Sequence, residues 1–346
     1  MKIKGLSRRK LNKALPLVWD VFSKYEARNY FESGEQAFWN AIHSEEYLDS
    51  PTAYGAFEGK ELLGIIATRN EGSHIALFFV DGAHQGKGIG RKLWNTVLAE
   101  NTSKTVTVHS SLFAIPIYNK LGFVQTDDVQ DEGGIQYVPM EYQKNIVVYV
   151  HGKGGSANEA EHYKQFFKED VYGFDYKSEN PWDAKIEFID KFKELSDKYN
   201  RIILIANSIG AYFSMNSGIE KFIHKAYFIS PIVNLERLIL NMIEWAGTTE
   251  QELEEKKTIP VDFGDDLSWD YLQYVRNHKI CWTVPTDILY GSADNLQSLD
   301  TIKEFCSKAP ATLTVMDGGE HWFHTKEQME FLDEWLKKVI LTRTEL

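Results

Sequence analysis

Residues 201–218 read RIILIANSIGAYFSMNSG, a segment in which an apolar strand turns abruptly into a helix. Two small residues, Ala206 and Gly210, stand two positions before and two positions after Ser208. A strand-to-helix turn this tight needs small residues at both positions, and it holds the serine at a strained backbone angle with its hydroxyl exposed. The pattern therefore predicts a nucleophilic serine at the carboxyl end of a buried strand.

Two later segments contain the other groups that a nucleophilic serine requires. Asp294 follows an apolar strand in ILYGSADN, and His321 follows the next strand in VMDGGEHWFH. Upstream, the strand NIVVYV opens into the glycine-rich segment HGKGG at 151–155. The order Ser, Asp, His along the chain is that of α/β-hydrolases, and residues 145–346 resemble this superfamily over their whole length. The likeness is to a trimmed version that lacks the usual first two strands.

The resemblance implies a role for each of these residues. His321 would take the proton from Ser208, and Asp294 would fix the imidazole. The backbone N–H groups of Lys153 and Ile209 would hold the oxyanion.

Rival assignments remain open within the same segments. His324 lies three residues after His321, although the position after Gly-Gly-x favours His321. Asp287 would lie at the buried start of its strand and Asp300 on the following helix, so Asp294 is preferred as the acid. The structural alternative is a decayed hydrolase scaffold that merely retains these residues.

The pattern of the second half predicts an α/β fold. Strands buried on both faces that alternate with helices indicate a parallel sheet covered on both sides. The strands are predicted at Ile146–Val150, Ile202–Ala206, Ala226–Ile229, Asp287–Tyr290 and Thr312–Met316, and helices at Trp182–Tyr199 and Gln328–Val339.

An insertion of about 232–280 separates two of these strands. Apolar residues recur in it at helical spacing, which predicts a helical cap; they are Leu235, Leu238, Ile239, Met242 and Ile243. Residues 233–280 carry ten acidic and five basic side chains, so the cap either disfavours anionic substrates or simply presents a solvated acidic face. Four aromatic residues are candidates for an acyl or aromatic pocket or for the cap core: Trp245, Trp269, Tyr271 and Tyr274.

A second constellation lies in residues 74–100, HIALFFVDGAHQGKGIGRKLWNTVLAE. An apolar strand runs through QGKGIG (85–90) into an amphipathic helix. Three glycines in five residues let backbone N–H groups converge, and the helix N-terminus adds a partial positive charge. These features predict a diphosphate-binding turn, although the spacing matches neither the dinucleotide fingerprint nor a P-loop.

Together with the downstream AIPIYNKLGF (114–123), this segment resembles the two signature motifs of the GNAT superfamily of acetyl-CoA-dependent N-acetyltransferases. The resemblance covers about residues 1–143. It implies that Tyr118 protonates the leaving thiolate, or otherwise packs beside Phe123. It also implies that acetyl-CoA is bound as co-substrate, without a metal, by Val80, Gln85, Gly86, Lys87, Gly88, Ile89 and Gly90.

The general base of the transferase stays open at this point. Acetyl transfer needs an acceptor for the proton of the attacking amine. Glu58, His74 and His109 are candidates near strand ends, a water chain is another, and a structural role remains the alternative for each residue.

The first half reads as an α+β domain with a mixed, mostly antiparallel sheet. Helices are predicted at Leu11–Lys24, Glu35–Ile42, Gly88–Asn101 and Ile115–Leu121, and strands at Thr52–Phe57, Leu62–Thr68, His74–Val80 and Thr105–His109. The domains are therefore 1–143 and 145–346, with the boundary near Gln143 to Asn145.

Charge and composition limit the partners. The formal charge is −12, which repels nucleic acid and anionic membranes. Two cysteines are too few for a disulfide framework, and apolar runs fall short of the ~20 residues of a membrane helix. We expect a cytoplasmic protein that acts on small-molecule amine and acyl substrates; its oligomeric state is left open.

The sequence as a whole predicts a bifunctional enzyme, an N-acetyltransferase of a small amine joined to a serine hydrolase of esterase, thioesterase or amidase type. The alternative is a serine hydrolase regulated by a GNAT domain that senses acetyl-CoA without transferring it. A non-enzymatic scaffold is the third interpretation.

Overall fold

The computed structural model describes residues 1–27, 30, 32–44 and 52–341. The chain divides into two compact units, Met1–Lys144 and Asn145–Leu346. Lys144 alone separates the last strand of the first unit from the first strand of the second.

The first unit is built on one mixed sheet. Within the described residues its strands are β1 (Lys2–Gly5), β2 (Thr52–Glu58), β3 (Glu61–Arg69), β4 (His74–Val80), β5 (Thr105–Ser110), β6 (Val124–Gln125), β7 (Gln130–Glu132) and β8 (Ile135–Gln143). They are ordered β1-β2-β3-β4-β5-β8-β6, and β7 pairs with β8. Only the β4–β5 pair among them is parallel, so the expected mixed, mostly antiparallel sheet is confirmed.

Helices cover both faces of this sheet. They are α1 (Arg8–Asn12), α2 (Leu15–Tyr25), α3 (Glu32–His43), α4 (Ile89–Glu100) and α5 (Ile115–Leu121). One apolar layer contains Val18 and Phe22 of α2, and the other contains Trp94 of α4 and Tyr118 of α5. The single helix predicted at Leu11–Lys24 is wrong, because α1 ends before α2 begins. Pro16 stands in the first turn of α2, where its missing N–H breaks no intrahelical bond.

The parallel strands β4 and β5 stay together over a short length. They pair at His74–Thr107 and at Ile75–Val108, and the ladder has no further rung in the described residues. On its other side β4 remains paired with β3 as far as Val80. On the side that faces β5, β4 therefore has no ladder pairing between Leu77 and Val80.

The second unit is built on a parallel sheet, as expected. Its strands are β9 (Asn145–Val150), β10 (Asp170–Phe174), β11 (Arg201–Asn207), β12 (Ile223–Ile229), β15 (Thr286–Gly291) and β16 (Ala311–Met316). Their order is β10-β9-β11-β12-β15-β16, with every pair parallel. All the strands therefore end at the same edge of the sheet.

Both faces of this sheet are covered by helices. They are α6 (Ala160–Tyr163), α7 (Pro181–Lys198), α8 (Ile209–Asn216), α12 (Leu299–Lys308) and α13 (Lys326–Leu341). Alternate residues of β9 explain the need for two layers. Val148 packs with α7 and α8, whereas Val147 and Tyr149 pack in the layer that contains Trp335 of α13.

The insertion between β12 and β15 is only partly the helical cap that the sequence predicts. It contains α9 (Leu235–Trp245), α10 (Glu250–Lys256) and α11 (Trp269–Asn277), and also the antiparallel strands β13 (Thr258–Ile259) and β14 (Leu267–Ser268). Arg276 of α11 donates to Glu236 of α9 and to Glu250 of α10. Lys279 forms a second ion pair with Glu236, at 2.8 Å. Part of the acidic charge of the insertion is thus neutralised internally.

Candidate active sites

Ser208 occupies a strained position between β11 and α8. Its φ and ψ are 51° and −121°, a backbone conformation that residues other than glycine rarely adopt. The chain around β12 holds it on both sides, because the Ser208 N–H donates to the Ile229 carbonyl and the Ile232 N–H donates to the Ser208 carbonyl, each at 3.1 Å. These two hydrogen bonds hold the strained serine at the carboxyl edge of the sheet.

The neighbouring strand β9 explains the glycines around this turn. A methyl group on Gly210 would lie 2.3 Å from the His151 carbonyl oxygen and 2.9 Å from Cγ1 of Val150. One on Gly152 would lie 3.1 Å from Cβ of Ser208. The crowding predicted from sequence is present, but the residues that cause it at Gly210 belong to the end of β9 rather than to the serine's own strand.

A chain of hydrogen bonds links Ser208, His321 and Asp294. Ser208 Oγ lies 2.8 Å from His321 Nε2, and His321 Nδ1 lies 2.7 Å from Asp294 Oδ2. The other carboxylate oxygen of Asp294 accepts from the N–H groups of Leu296, at 2.7 Å, and Gln297, at 3.1 Å. The Asp294 side chain is fully buried, whereas that of His321 is 15% exposed. With Nδ1–H donating to Asp294, Nε2 is the nitrogen that can accept the serine proton.

The three rival residues lie elsewhere. Nδ1 of His324 donates to the Trp322 carbonyl at 2.8 Å, and the imidazole stacks on that indole. Asp287, at the start of β15, forms an ion pair with Lys225 at 2.8 Å. Asp300 lies in the first turn of α12. The residues that the structure brings together are those preferred from sequence.

Both residues expected to donate to the oxyanion line the cavity that contains Ser208. Ile209 is the first residue of α8, where an N–H group has no intrahelical partner. Lys153 lies in the loop after β9, and both residues line the same cavity as Ser208. The loop is held by His151, whose ring stacks on Tyr176 with centroids 4.3 Å apart and whose carbonyl accepts from the Tyr176 hydroxyl at 2.9 Å. The contacts of His151 with Tyr176 therefore anchor the loop that carries Lys153.

The aromatic candidates of the insertion divide between the two expected roles. Trp245 and Tyr271 line the cavity beside Ser208. Trp269 instead lies under the Lys257 ammonium, and Tyr274 stacks on His278. Two of the four aromatic candidates therefore line the cavity.

The predicted diphosphate turn in the first unit is open on its outer side. Gly86 and Gly88 have φ of 75° and 76°, and a methyl group on either would meet nothing within 4 Å. Gly88 caps α4, whose first residue, Ile89, is buried. The Gln85 side chain donates to the Val80 carbonyl at 3.1 Å and so ties the turn to the open end of β4. The free space beside Gly86 and Gly88 and the N-terminus of α4 fit an anionic diphosphate.

Tyr118 shows features of both of its expected roles. It is 6% exposed and packs between Phe78 and Phe123, with ring centroids 6.0 Å and 5.2 Å away. It also lines a cavity of about 550 Å³ together with His74 and His109. Packing and access to this cavity are thus combined in one side chain.

Two of the three candidate bases lie in this cavity. The rings of His74 and His109 are 5.0 Å apart. Burial lowers the pKa of His74 to about 4, helped by the nearby His109 and Arg69, and burial also lowers the pKa of His109. Glu58 is not among the residues that line it, and it ends β2 beside the turn into β3.

Glu26, which was not predicted as a site residue, lines the same cavity. Burial raises the pKa of its carboxyl to about 7, and the Ser111 hydroxyl opposes the rise. The signal was present in the sequence, because Val18, Phe22 and Glu26 follow one another at four-residue spacing. An acid that continues a buried helical stripe is a candidate for a functional group.

The part of the chain that the structure describes holds no group of three or more His, Cys, Asp or Glu side chains placed to bind a metal ion. Nor does any helix within 1–27, 32–44 and 52–341 have the length and apolarity to cross a bilayer.

Comparison with known proteins identifies a domain in the first unit. Residues 24–144 match the family model described as acetyltransferase (GNAT) domain. No curated protein matches the chain significantly. A GNAT domain is therefore present in the first unit.

Solved structures similar to parts of this chain include proteins titled as hydrolases and proteins titled as N-acetyltransferases. Est1E from Butyrivibrio proteoclasticus is 15% identical, over 58% of this chain and 89% of its own, with a TM-score of 0.46. Alpha/beta hydrolase domain-containing protein 10 from mouse is 12% identical, over 57% and 90%, with a TM-score of 0.47. The PaiA N-acetyltransferase from Thermoplasma acidophilum, solved in complex with coenzyme A, is 18% identical, over 41% and 99%, with a TM-score of 0.35.

We expect Gly210→Ala to destabilise the second unit, because the added methyl group would lie 2.3 Å from the His151 carbonyl oxygen. Overpacking of this kind costs about 1–3 kcal/mol in the free energy of unfolding. Thermal melting followed by tryptophan fluorescence measures the change. Gly5→Ala is the matched control, since its methyl group would meet nothing within 4 Å. Equal melting curves for the two variants would show that the turn is not crowded.

Proposed function

We propose that the chain is a bifunctional enzyme. Its first unit would transfer the acetyl group of acetyl-CoA to a small amine, and its second unit would hydrolyse an ester, thioester or amide through Ser208. The hydrogen-bond chain from Ser208 through His321 to Asp294 carries the second assignment. The GNAT domain at residues 24–144 and its open glycine turn support the first.

The geometry of the second unit suits a two-step acyl transfer. Ser208 Oγ would attack the carbonyl carbon while His321 Nε2 takes its proton. The N–H groups of Ile209 and Lys153 would hold the oxygen that becomes negative. His321 would then give the proton to the leaving group as the bond between the carbonyl carbon and that group breaks, and water activated by the same imidazole would release the acid from Ser208.

In the first unit the amides of the turn at 85–90 would hold the diphosphate of acetyl-CoA, and the open edge of β4 near Val80 would pair with its pantetheine arm. The amine would enter the cavity that Tyr118 and Glu26 line. Glu26 would accept the proton of the amine, and the Tyr118 hydroxyl would donate one to the departing thiolate. A carboxylate and a phenol in one cavity supply the acceptor and the donor that this transfer needs.

The packing of Tyr118 among aromatic rings favours one alternative. A tyrosine held mainly by packing has no need to transfer a proton, and the first unit would then bind acetyl-CoA only to regulate the hydrolase. Binding of acetyl-CoA without transfer to a broad panel of amines would support this alternative.

For the hydrolase, we expect Ser208→Ala and His321→Ala each to remove nearly all turnover of p-nitrophenyl acetate. The double variant should lose little more, because nucleophile and base act as a unit. A fluorophosphonate should label the wild type at Ser208, as detected by intact-mass spectrometry.

His324→Ala is the matched control for the histidine, since that ring faces Trp322 instead of Ser208. It should retain most of the activity. Full turnover by Ser208→Ala, or a loss confined to His324→Ala, would refute the assignment.

For the transferase, acetyl-CoA should raise the melting temperature of the wild type, by an amount set by its concentration relative to the dissociation constant. Gly88→Asp should abolish the shift, because its carboxylate would project into the open turn and repel the diphosphate. Gly5→Asp makes the same change in charge on β1 and should keep the shift. An undiminished response in Gly88→Asp would show that the cofactor binds elsewhere.

Glu26→Gln tests the proton acceptor. A carboxyl with a pKa of about 7 accepts a proton only above that pH, so the ratio of wild-type to variant kcat should rise through about pH 7 and then level off, at roughly 10²-fold. Measuring both proteins with the same amine removes the ionisation of the substrate from the ratio. His109→Gln is the control, because the pKa of His109 lies below its usual value and its loss would alter the profile at lower pH. A ratio that does not change with pH would leave Glu26 a structural role.

A further inference from the structure

The cavity beside Ser208 is much larger than hydrolysis of an acetyl group requires. Its volume is about 1070 Å³, slightly above the roughly 300–1,000 Å³ usual for small-molecule sites. One side is formed by α9, which contributes Leu235, Leu238, Ile239 and Met242. The first three are buried, and β14 adds the buried Leu267. The deep part of the cavity is therefore apolar.

Four charged residues of the cavity lining form two exposed ion pairs, and Glu179 and Asp266 of the lining are exposed as well. Lys153 forms an ion pair with Asp265 of the insertion, and Lys177 pairs with Asp175 at 2.8 Å. All four side chains are more than half exposed. The ionic groups thus surround the entrance, and the cavity floor remains free to take an uncharged group.

The orientation of the catalytic groups indicates which part of the substrate lies in the cavity. The lining includes Ser208 and Ile209 but not His321. A leaving group must lie next to His321 Nε2 to receive its proton. Trp322 beside that histidine is 68% exposed, so the leaving group would depart toward solvent. The cavity then extends from the carbonyl on the acyl side.

We propose that the second unit hydrolyses substrates with an extended, uncharged, apolar acyl group, which binds in the floor formed by α9 and β14. The inference rests on the proposed serine hydrolase. The acyl carbon forms its bond to Ser208 Oγ while the bond to the leaving group breaks, and the chain stays in the cavity until water releases it as the carboxylic acid. Burial of each methylene lowers the barrier by the hydrophobic free energy of that group.

The test is the acyl-length dependence of kcat/KM for the full chain, with p-nitrophenyl acetate, butyrate, hexanoate and octanoate. We expect kcat/KM to rise by roughly fourfold per methylene, the equivalent of about 0.8 kcal/mol. Alkyl acetates of matching length, in which the apolar chain is on the alcohol, should show no such rise.

Substitutions at Met242 locate the chain. Met242→Trp would fill the floor and lower the octanoate-to-acetate ratio by about tenfold or more, and Met242→Ala would enlarge it and move the preference to longer chains. Glu244→Trp places the same indole on an exposed position of α9 outside the cavity lining, and its ratio should equal that of the wild type.

The outcomes distinguish failure of the proposed serine hydrolase from failure of its proposed substrate class. Absence of fluorophosphonate labelling and of acetate turnover would overturn both the serine hydrolase and its substrate class. A labelled Ser208 with rates that are independent of acyl length, or that fall with it, would overturn the substrate class alone. Rates that rise with the length of the alcohol chain in the alkyl acetates would also overturn the substrate class. So would an octanoate-to-acetate ratio that Met242→Trp leaves unchanged while Glu244→Trp lowers it.

Discussion

The backbone of Ser208 is the constraint on which the second unit depends. A serine at φ 51° is unfavourable by itself, and it persists because the carbonyl of Ile229 and the N–H of Ile232 hold it from both sides. The two bonds come from the last residue of the neighbouring strand β12 and from the segment that follows it, so the nucleophile is positioned by a neighbouring part of the chain rather than by its own loop. His321 and Asp294 can then reach it, because the strands that precede them end at the same edge.

In the first unit, the candidate cofactor site is formed by incomplete pairing of two strands rather than by a crowded turn. Its strands β4 and β5 pair for two residues and then carry no further ladder bonds. Between Leu77 and Val80, β4 has no ladder pairing on the side that faces β5, and the glycine turn follows this stretch. In one unit a crowded turn projects a side chain, and in the other a gap in the sheet exposes main-chain groups.

How much of this could be predicted from sequence depends on how local the cause is. The serine turn, its histidine and its acid follow from short motifs, and the buried strands follow from apolar runs. Strand β8 was not predicted, because Pro139 interrupts its pattern; its nitrogen lies on the side of the short β6, which ends at Gln125. Strand β10 lies at the sheet edge and contains Asp170 and Gly173, so it carries no continuous apolar signal.

Properties of functional groups that depend on residues distant in sequence could not be predicted from short motifs or apolar runs. The pKa of Glu26 is set by burial, which depends on the strands and helix that pack around it, although its place on the Val18 stripe was a usable signal. The pairing of Lys153 with Asp265 joins residues more than a hundred positions apart, and no pattern in either segment announces it.

The guanidinium of Arg276 has a consequence for how the hydrolase unit can diversify. It joins α9, α10 and α11 to one another, so the insertion is braced from within. The clamp on Ser208 is complete at Ile232, before α9 begins. Evolution can therefore reshape the braced segment, or exchange it whole, without disturbing the strained serine, and new specificities can arise on an unchanged chemical apparatus.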